Sequence, residues 1–180
     1  MVIAFDVDGV LNDLHTPWVK LYNKLSGDTL KVESIFDYDI RKFVLPSWKN
    51  KILELLNTPG LFLNAPIVEG AVEVVKKLLD AGHEVIFVSA FNPFYQSAPE
   101  KGQWLEEHFS GIMTVGENIF FCSKKYLVNF DILIDDSPKN LESLSMKQMG
   151  ILWNQPWNSL DYHVNRAMNW QEVLDLIEEF

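Results

Sequence analysis

The chain has 180 residues, 48% of them hydrophobic, with six Trp and twelve Phe, which is ample for one compact domain carrying an insertion and rules against disorder. A formal net charge of −10 excludes general binding to nucleic acid polymers and disfavours docking on an anionic membrane, though not a small anionic substrate held through a divalent cation. The single cysteine, Cys122, excludes an internal disulfide and speaks against a cysteine-based zinc site, and with no basic leader or long apolar span the expected setting is cytoplasmic.

Residues 2–5 (VIAF) form a short apolar run that ends in Asp6-Val7-Asp8-Gly9, the pattern of a buried parallel strand followed by a sharp turn. Residues 14–66 then lack strand character. They hold helical patterns at about 16–25 and 46–57, an aromatic middle (Phe36, Tyr38, Phe43, Trp48) and a Thr58-Pro59-Gly60 break. This stretch is expected to be a small helical cap inserted after the first strand, with 1–13 and 67–180 forming the core. The core alternates from there on. A helix over 70–80 stops at Ala81-Gly82, and strands follow at 84–89 (EVIFVS), 118–123 (NIFFCS), 131–135 (DILID) and, more weakly, 150–153 (GILW). Helices are predicted over 99–109, 138–145 and 169–179. Such alternation implies an α/β fold, a Rossmann-like parallel sheet flanked by helices, with the ligand site beyond the carboxyl ends of the strands.

Four of those ends carry chemistry. Asp6 and Asp8 are two residues apart and point the same way on an extended segment, so one can attack phosphorus while the other protonates a leaving oxygen and later activates water; alone, the same residues read equally as a hydrogen-bonded turn. Ser89 ends the second run, where a hydroxyl can bind a phosphate oxygen or merely cap the next helix. Lys124 and Lys125 follow the third run; a lysine here neutralises a phosphoryl group and holds Asp6 ionised, although a surface pair is usually just solvated. Asp135 and Asp136 end the fourth. Adjacent acids repel unless a cation lies between them, and Mg²⁺ takes such oxygen ligands at roughly 2.1 Å. Each cluster has a bland explanation, but their coincidence on one edge of a sheet points to phosphoryl transfer.

That order of motifs resembles the haloacid dehalogenase-like superfamily and, within it, the 5′(3′)-deoxyribonucleotidases. The pieces that carry the likeness are DVDGVLND (6–13), LFLNAPIVEGAVE (61–73), DILIDDSPKNLE (131–142) and LWNQPWN (152–158) with Asn169-Trp170. The resemblance implies Asp6 as nucleophile and Mg²⁺ ligand, Asp8 as acid/base and main-chain ligand, Ser89 as phosphate holder, Lys125 as the motif lysine, and Asp136 as direct ligand with Asp135 close behind. Ala90, where relatives often carry a second hydroxyl, joins Ser89, Lys125 and Tyr38 in the substrate-binding set. The implied reaction is Mg²⁺-dependent hydrolysis of (deoxy)nucleoside monophosphates through an aspartyl-phosphate; the partners are a small phosphate monoester and, at most, a second copy of the chain. A phosphatase for another small ester, such as a sugar phosphate, is the nearest alternative. A non-enzymatic phospho-acceptor module, which carries its aspartate on a middle strand, is further off. Tyr38, Phe43 and Trp48 are candidates to stack on a base or, failing that, to fill the cap's own core. Asn12 and Asp13 either contact substrate or cap the next helix, and Trp153 and Trp157 are expected to pack against the core.

Overall fold

The structure is a computed structural model that describes residues 1–90, 97–114, 116–163 and 165–180. Its centre is a six-stranded parallel sheet. The strands are β1 (Val2–Phe5), β2 (Glu84–Ser89), β3 (Ile119–Phe121), β4 (Ile132–Asp135), β5 (Met149–Trp153) and β6 (Arg166–Ala167), in the order β3-β2-β1-β4-β5-β6. The apolar runs of the sequence become the five longer strands; β1, β2, β4 and β5 are covered on both faces, whereas β3, at the sheet edge, leaves Phe120 exposed. Ile3, Phe5, Val85, Phe87, Ile132, Ile134 and Ile151 point into one core with α2 (Ala71–Asp80), α3 (Ser97–His108) and α5 (Trp170–Glu179). The alternate residues Ala4, Ile86, Val88, Leu133 and Leu152 pack on the opposite face, with Leu141 of α4 (Pro138–Glu142). Strand β6 was not expected: two residues are too few to show a period, and it is fixed by Arg166, whose guanidinium donates to Asn154 Oδ1 at 2.7 Å and Asn158 Oδ1 at 2.9 Å.

β1 lies between β2 and β4, paired Phe5 with Phe87 and Phe5 with Ile134. The chain fills one side of β1 with β2 and β3 and then crosses back to fill the other with β4, β5 and β6, so a crevice opens at the carboxyl end of the central strand. Asp6 and Asp8 sit at that crevice because β1 is short and Gly9, at φ +77°, turns the chain out of it.

Between β1 and α2 the chain builds a second apolar cluster of its own. Helix α1 (His15–Ser26) contributes Trp18, Val19 and Tyr22, and Ile35, Ile40, Val44, Ile52, Leu56, Leu61 and Phe62 close around them. The helix expected over 46–57 is instead two tight 3₁₀ segments, Pro46–Trp48 and Ile52–Asn57. In 3₁₀ turns residues three apart eclipse, which brings Ile52 and Leu55 to one side, where Trp18 Nε1 donates to the Ile52 carbonyl at 2.9 Å. Phe43 and Trp48 pack into this cluster, Trp48 edge-on to Tyr22, whereas Phe36 and Tyr38 remain exposed. Among the described residues no helix is long and apolar enough to cross a membrane.

Candidate active site

The strand ends converge as the topology requires. Asp6, half a turn beyond β1, is buried and accepts from its neighbour Val7 N at 2.7 Å through Oδ1; the same oxygen pairs with Lys125 Nζ at 2.8 Å. Lys125 opens a short turn after β3 and is itself 2% exposed. Its ammonium also donates to Asp135 Oδ2 at 2.7 Å, so one buried cation bridges two carboxylates from two different strand ends. Lys124, its neighbour, is exposed. Asp135 is fully committed: Oδ1 accepts from Ser137 N at 2.8 Å, and Asn140 Nδ2 reaches both of its oxygens.

Asp136 is built differently. Oδ2 accepts from Trp157 Nε1 at 2.7 Å, while Oδ1 is buried with no hydrogen-bond partner. Ligand atoms of Asp6, Asp135 and Asp136 lie within 4.8 Å of one another. Burial pushes the Asp6 carboxyl up to about 7, against the pull of Lys125 and with the push of Asp135 and Asp8. Burial also raises Asp136 well above the usual carboxylate range, and Asp135 and Asp6 add to the effect. Lys125 resists the desolvation that would discharge it, because Asp6 and Asp135 face it, and it stands above the ordinary lysine value. An orphaned buried oxygen amid crowded carboxylates is the environment a hard divalent cation relieves, and an all-oxygen donor set suits Mg²⁺ or Ca²⁺ better than a soft metal.

Asp8 stands on the other side of the Asp-x-Asp turn. Asn12 Nδ2 donates to its Oδ1 at 3.1 Å, and Lys101 Nζ forms an ion pair with its Oδ2. Lys101 was not singled out in the sequence. It comes from α3, is 3% exposed, and also donates to Ser89 Oγ at 3.1 Å and the Ala90 carbonyl at 3.0 Å, while its ammonium lies 4.9 Å from the Phe62 ring centroid. Ser89, at the end of β2, is thereby drawn to the same point as Asp8. The signal that would have found Lys101 is helical spacing: residues 97, 101, 104 and 105 are all buried, so this lysine lies on an apolar stripe where a solvated charge has no reason to be.

Two further assignments shift. Trp157 packs in the apolar cluster as expected, but its indole N–H also holds Asp136, and its ring stacks on His15 at 3.7 Å. Asp13 accepts from Thr16 N at 3.0 Å at the start of α1, the capping alternative, while Asn12 takes a role not foreseen for it and donates to Asp8. Beneath this floor Asn158 Nδ2 donates to the Asp136 carbonyl at 2.8 Å and Gln155 Nε2 to the Gly9 carbonyl at 2.7 Å. Gly9 must lack a side chain: a Cβ there would lie 2.6 Å from Asp136 Oδ2.

Asp6, Asp8, Asp136 and Lys101 form the floor of a cavity of about 1000 Å³, with Asp135 buried behind them. One wall comes from the stretch between β1 and α2, through Leu14, His15, Trp18, Phe36, Tyr38 and Phe62, and the other from the core, through Pro138, Trp157 and Leu160. Tyr38 therefore lines the cavity. Tyr38 is exposed over more than half of its surface, but its hydroxyl faces the acidic floor and is pushed up chiefly by the charge of Asp136, so the phenol stays protonated. Ala90 also lines the cavity; Phe43 and Trp48 do not. The floor and walls together can hold a compact anion on the polar side and a flat or apolar group on the other.

Comparison with known proteins places this arrangement. The family model described as 5′ nucleotidase, deoxy (pyrimidine), cytosolic type C protein matches residues 1–179. The chain is 36% identical over 179 residues to a 5′(3′)-deoxyribonucleotidase of Clostridium acetobutylicum, covering 98% of this chain and 94% of that one. It is 35% identical over 172 residues to one of Bacillus subtilis, covering 96% and 95%. Among solved structures, a haloacid dehalogenase-like protein of Agrobacterium tumefaciens superposes with a TM-score of 0.66 at 13% identity, covering 99% and 97%. A haloacid dehalogenase family hydrolase of Deinococcus radiodurans gives 0.62 at 16%, covering 99% and 95%. The strand order, the converging acids and near-complete coverage by both family model and relatives lead to one conclusion: this chain belongs to the family of deoxy (pyrimidine), cytosolic type C 5′-nucleotidases, on the haloacid dehalogenase-like fold.

Proposed function

We propose that the chain is a Mg²⁺-dependent phosphatase of (deoxy)nucleoside monophosphates that works in the cytoplasm through an aspartyl-phosphate on Asp6, with residues 14–66 acting as a cap over a core of residues 1–13 and 67–180. The observation that carries this reading is the pairing of two differently held acids on one turn. Asp6 is buried and bridged by Lys125 to Asp135, while Asp8, two residues on, is less buried and held by Asn12 and Lys101. The substrate class comes from the relatives, named as 5′(3′)-deoxyribonucleotidases, and the aromatic and aliphatic part of the cavity wall, Trp18, Phe36, Tyr38 and Phe62, suits a nucleoside.

The steps follow from the residues. Lys101 and Ser89 bind the phosphoryl oxygens, which draws the ammonium from Asp8 toward the substrate. A carboxylate oxygen of Asp6 attacks phosphorus, the bond from phosphorus to the nucleoside oxygen breaks, and protonated Asp8 gives its proton to that oxygen. Water then attacks the aspartyl-phosphate, Asp8 takes the water's proton, and the phosphorus–oxygen bond to Asp6 breaks to return the carboxylate. Asp6, Asp136 and the Asp8 carbonyl would hold Mg²⁺, with Asp135 behind them, and the ion would neutralise charge on the phosphoryl group. Lys125 pulls Asp6 toward its ionised form, against the burial that favours the protonated one. Tyr38 and Ala90 line the substrate side of the cavity.

The test is phosphate release from a panel of deoxynucleotides, ribonucleotides and sugar phosphates, with Mg²⁺ and with EDTA. Release from deoxynucleoside monophosphates that EDTA abolishes is expected. Turnover confined to sugar phosphates would overturn the substrate, and full activity in EDTA would overturn the metal.

A further inference from the structure

Glu100 lies next to Lys101 on α3, is 9% exposed, and has no part in the chemistry above. Among the described residues no salt bridge reaches it; its partners are backbone N–H groups. Oε1 accepts from Gly60 N at 2.6 Å, and Oε2 accepts from Phe62 N at 3.2 Å and Leu63 N at 3.4 Å. Those donors belong to the turn by which the chain leaves residues 14–66 for the core, where Gly60 takes φ +81°. One helical turn on, Trp104 Nε1 donates to the Ala65 carbonyl at 2.8 Å, so α3 grips the same stretch twice. A glutamate is costly to bury, and both of its oxygens here accept from one short run of backbone.

Between those grips lies Phe62. It is 2% exposed, belongs to the apolar cluster of the insertion, lines the cavity and sits under the Lys101 ammonium at 4.9 Å. At the other crossing, Asp13 N donates to the Pro66 carbonyl at 2.8 Å and Val68 N to the Leu11 carbonyl at 2.8 Å. These bonds fix residues 66–68 but not 60–63. We infer that Glu100 is a positioning residue: it anchors the 60–63 turn and thereby fixes the cavity wall that receives the nucleoside, while Lys101, one residue on, serves the phosphate. One turn of α3 thus sets the distance between the two ends of the substrate. The nucleoside half of this inference rests on the proposed function; the anchor itself does not.

Glu100→Gln keeps the side-chain length but turns an NH₂ toward N–H donors. In the full-length protein with Mg²⁺, KM for a deoxynucleoside 5′-monophosphate is expected to rise about tenfold. The Ki of inorganic phosphate, which needs only the floor, should stay within about twofold and kcat within about threefold. A plain loss of folded protein would lower kcat and leave KM alone. Unchanged KM, or KM and Ki rising together, would overturn the inference. Amide exchange at Gly60, Phe62 and Leu63 should quicken while Ile3, Ala4 and Phe5 are unaffected; unchanged exchange at the three donors would overturn the anchor. If the wild type hydrolyses no deoxynucleotide, the functional reading fails and the exchange result alone decides. Should the Gln variant not fold, Glu100→Asp, with both acceptors but a shorter reach, is carried through the same measurements.

Discussion

At the scale of single residues the floor of the cavity is a matter of charge balance. Four carboxyls face two buried lysines, and the two lysines are not equivalent. Lys125 is locked between two acids, whereas Lys101 has one acid, a hydroxyl and a carbonyl, a set that a phosphoryl group can replace. Lys101→Met should therefore lower kcat/KM by about a hundredfold, through the loss of one charged contact to the phosphoryl group, with little effect on thermal stability; steady-state kinetics beside a melting curve checks both. His15 offers a pH test. Burial lowers its imidazole to about 4 against the push of Asp8 and Asp13, and its Nδ1 is buried without a partner. The unfolded chain binds a proton on His15 near pH 6.5 and the folded one only near 4, so between these values the unfolded state holds more protons and stability falls as pH falls. His15→Phe should remove that loss, on the order of 3 kcal/mol at the acid end, leaving the two proteins alike above about pH 7. Parallel acid slopes for the two proteins in urea titrations would refute it. The acids of this site were legible in the sequence because they fall just after apolar runs. Lys101 and Glu100 were not, since in a helix a charge looks solvated until the stripe it lies on is known to be buried.

At the scale of elements, the turn after β1 packs tightly against the floor of the site. Gly9 and Gly27 share nearly the same φ, +77° and +75°, but a Cβ at Gly9 would strike Asp136 and Trp157, whereas at Gly27 it would meet nothing within 4 Å. Gly27→Ala should cost only the backbone term, about 1 kcal/mol. Gly9→Ala should cost about 2 kcal/mol more. Urea denaturation of the pair checks this; equal losses would mean the Asp136 carboxylate moves aside freely. The strands β1, β2, β4 and β5 and the helices of the core could be read from sequence because burial on both faces writes an uninterrupted apolar run, and one-sided burial writes a helical stripe; edge strand β3 carries such a run although Phe120 is exposed. The stretch from 30 to 66 could not. Its turns are short and tight, and its residues pack on one another rather than on a regular layer, so neither period survives; the predicted 46–57 helix became two 3₁₀ pieces for that reason.

At the scale of the whole molecule, the sheet order brings the end of the central strand beside the ends of β2 and β4, with Lys125 arriving from the turn after β3. The order was not in the sequence, but its consequence was, since parallel strands joined by helices put every strand end on one edge. The depth of the cavity and the source of its walls needed the structure, because they depend on where residues 14–66 fold back. Whether Asp6 takes the phosphoryl group can be read directly by acid-quenching the protein during turnover of a deoxynucleoside monophosphate with Mg²⁺ and mapping its peptides by mass spectrometry. One phosphoryl group on the peptide carrying Asp6, absent in EDTA and absent in an Asp6→Asn variant slowed at least about a thousandfold, is the expected result. Full turnover by Asp6→Asn, or a phosphoryl group trapped elsewhere, would contradict it.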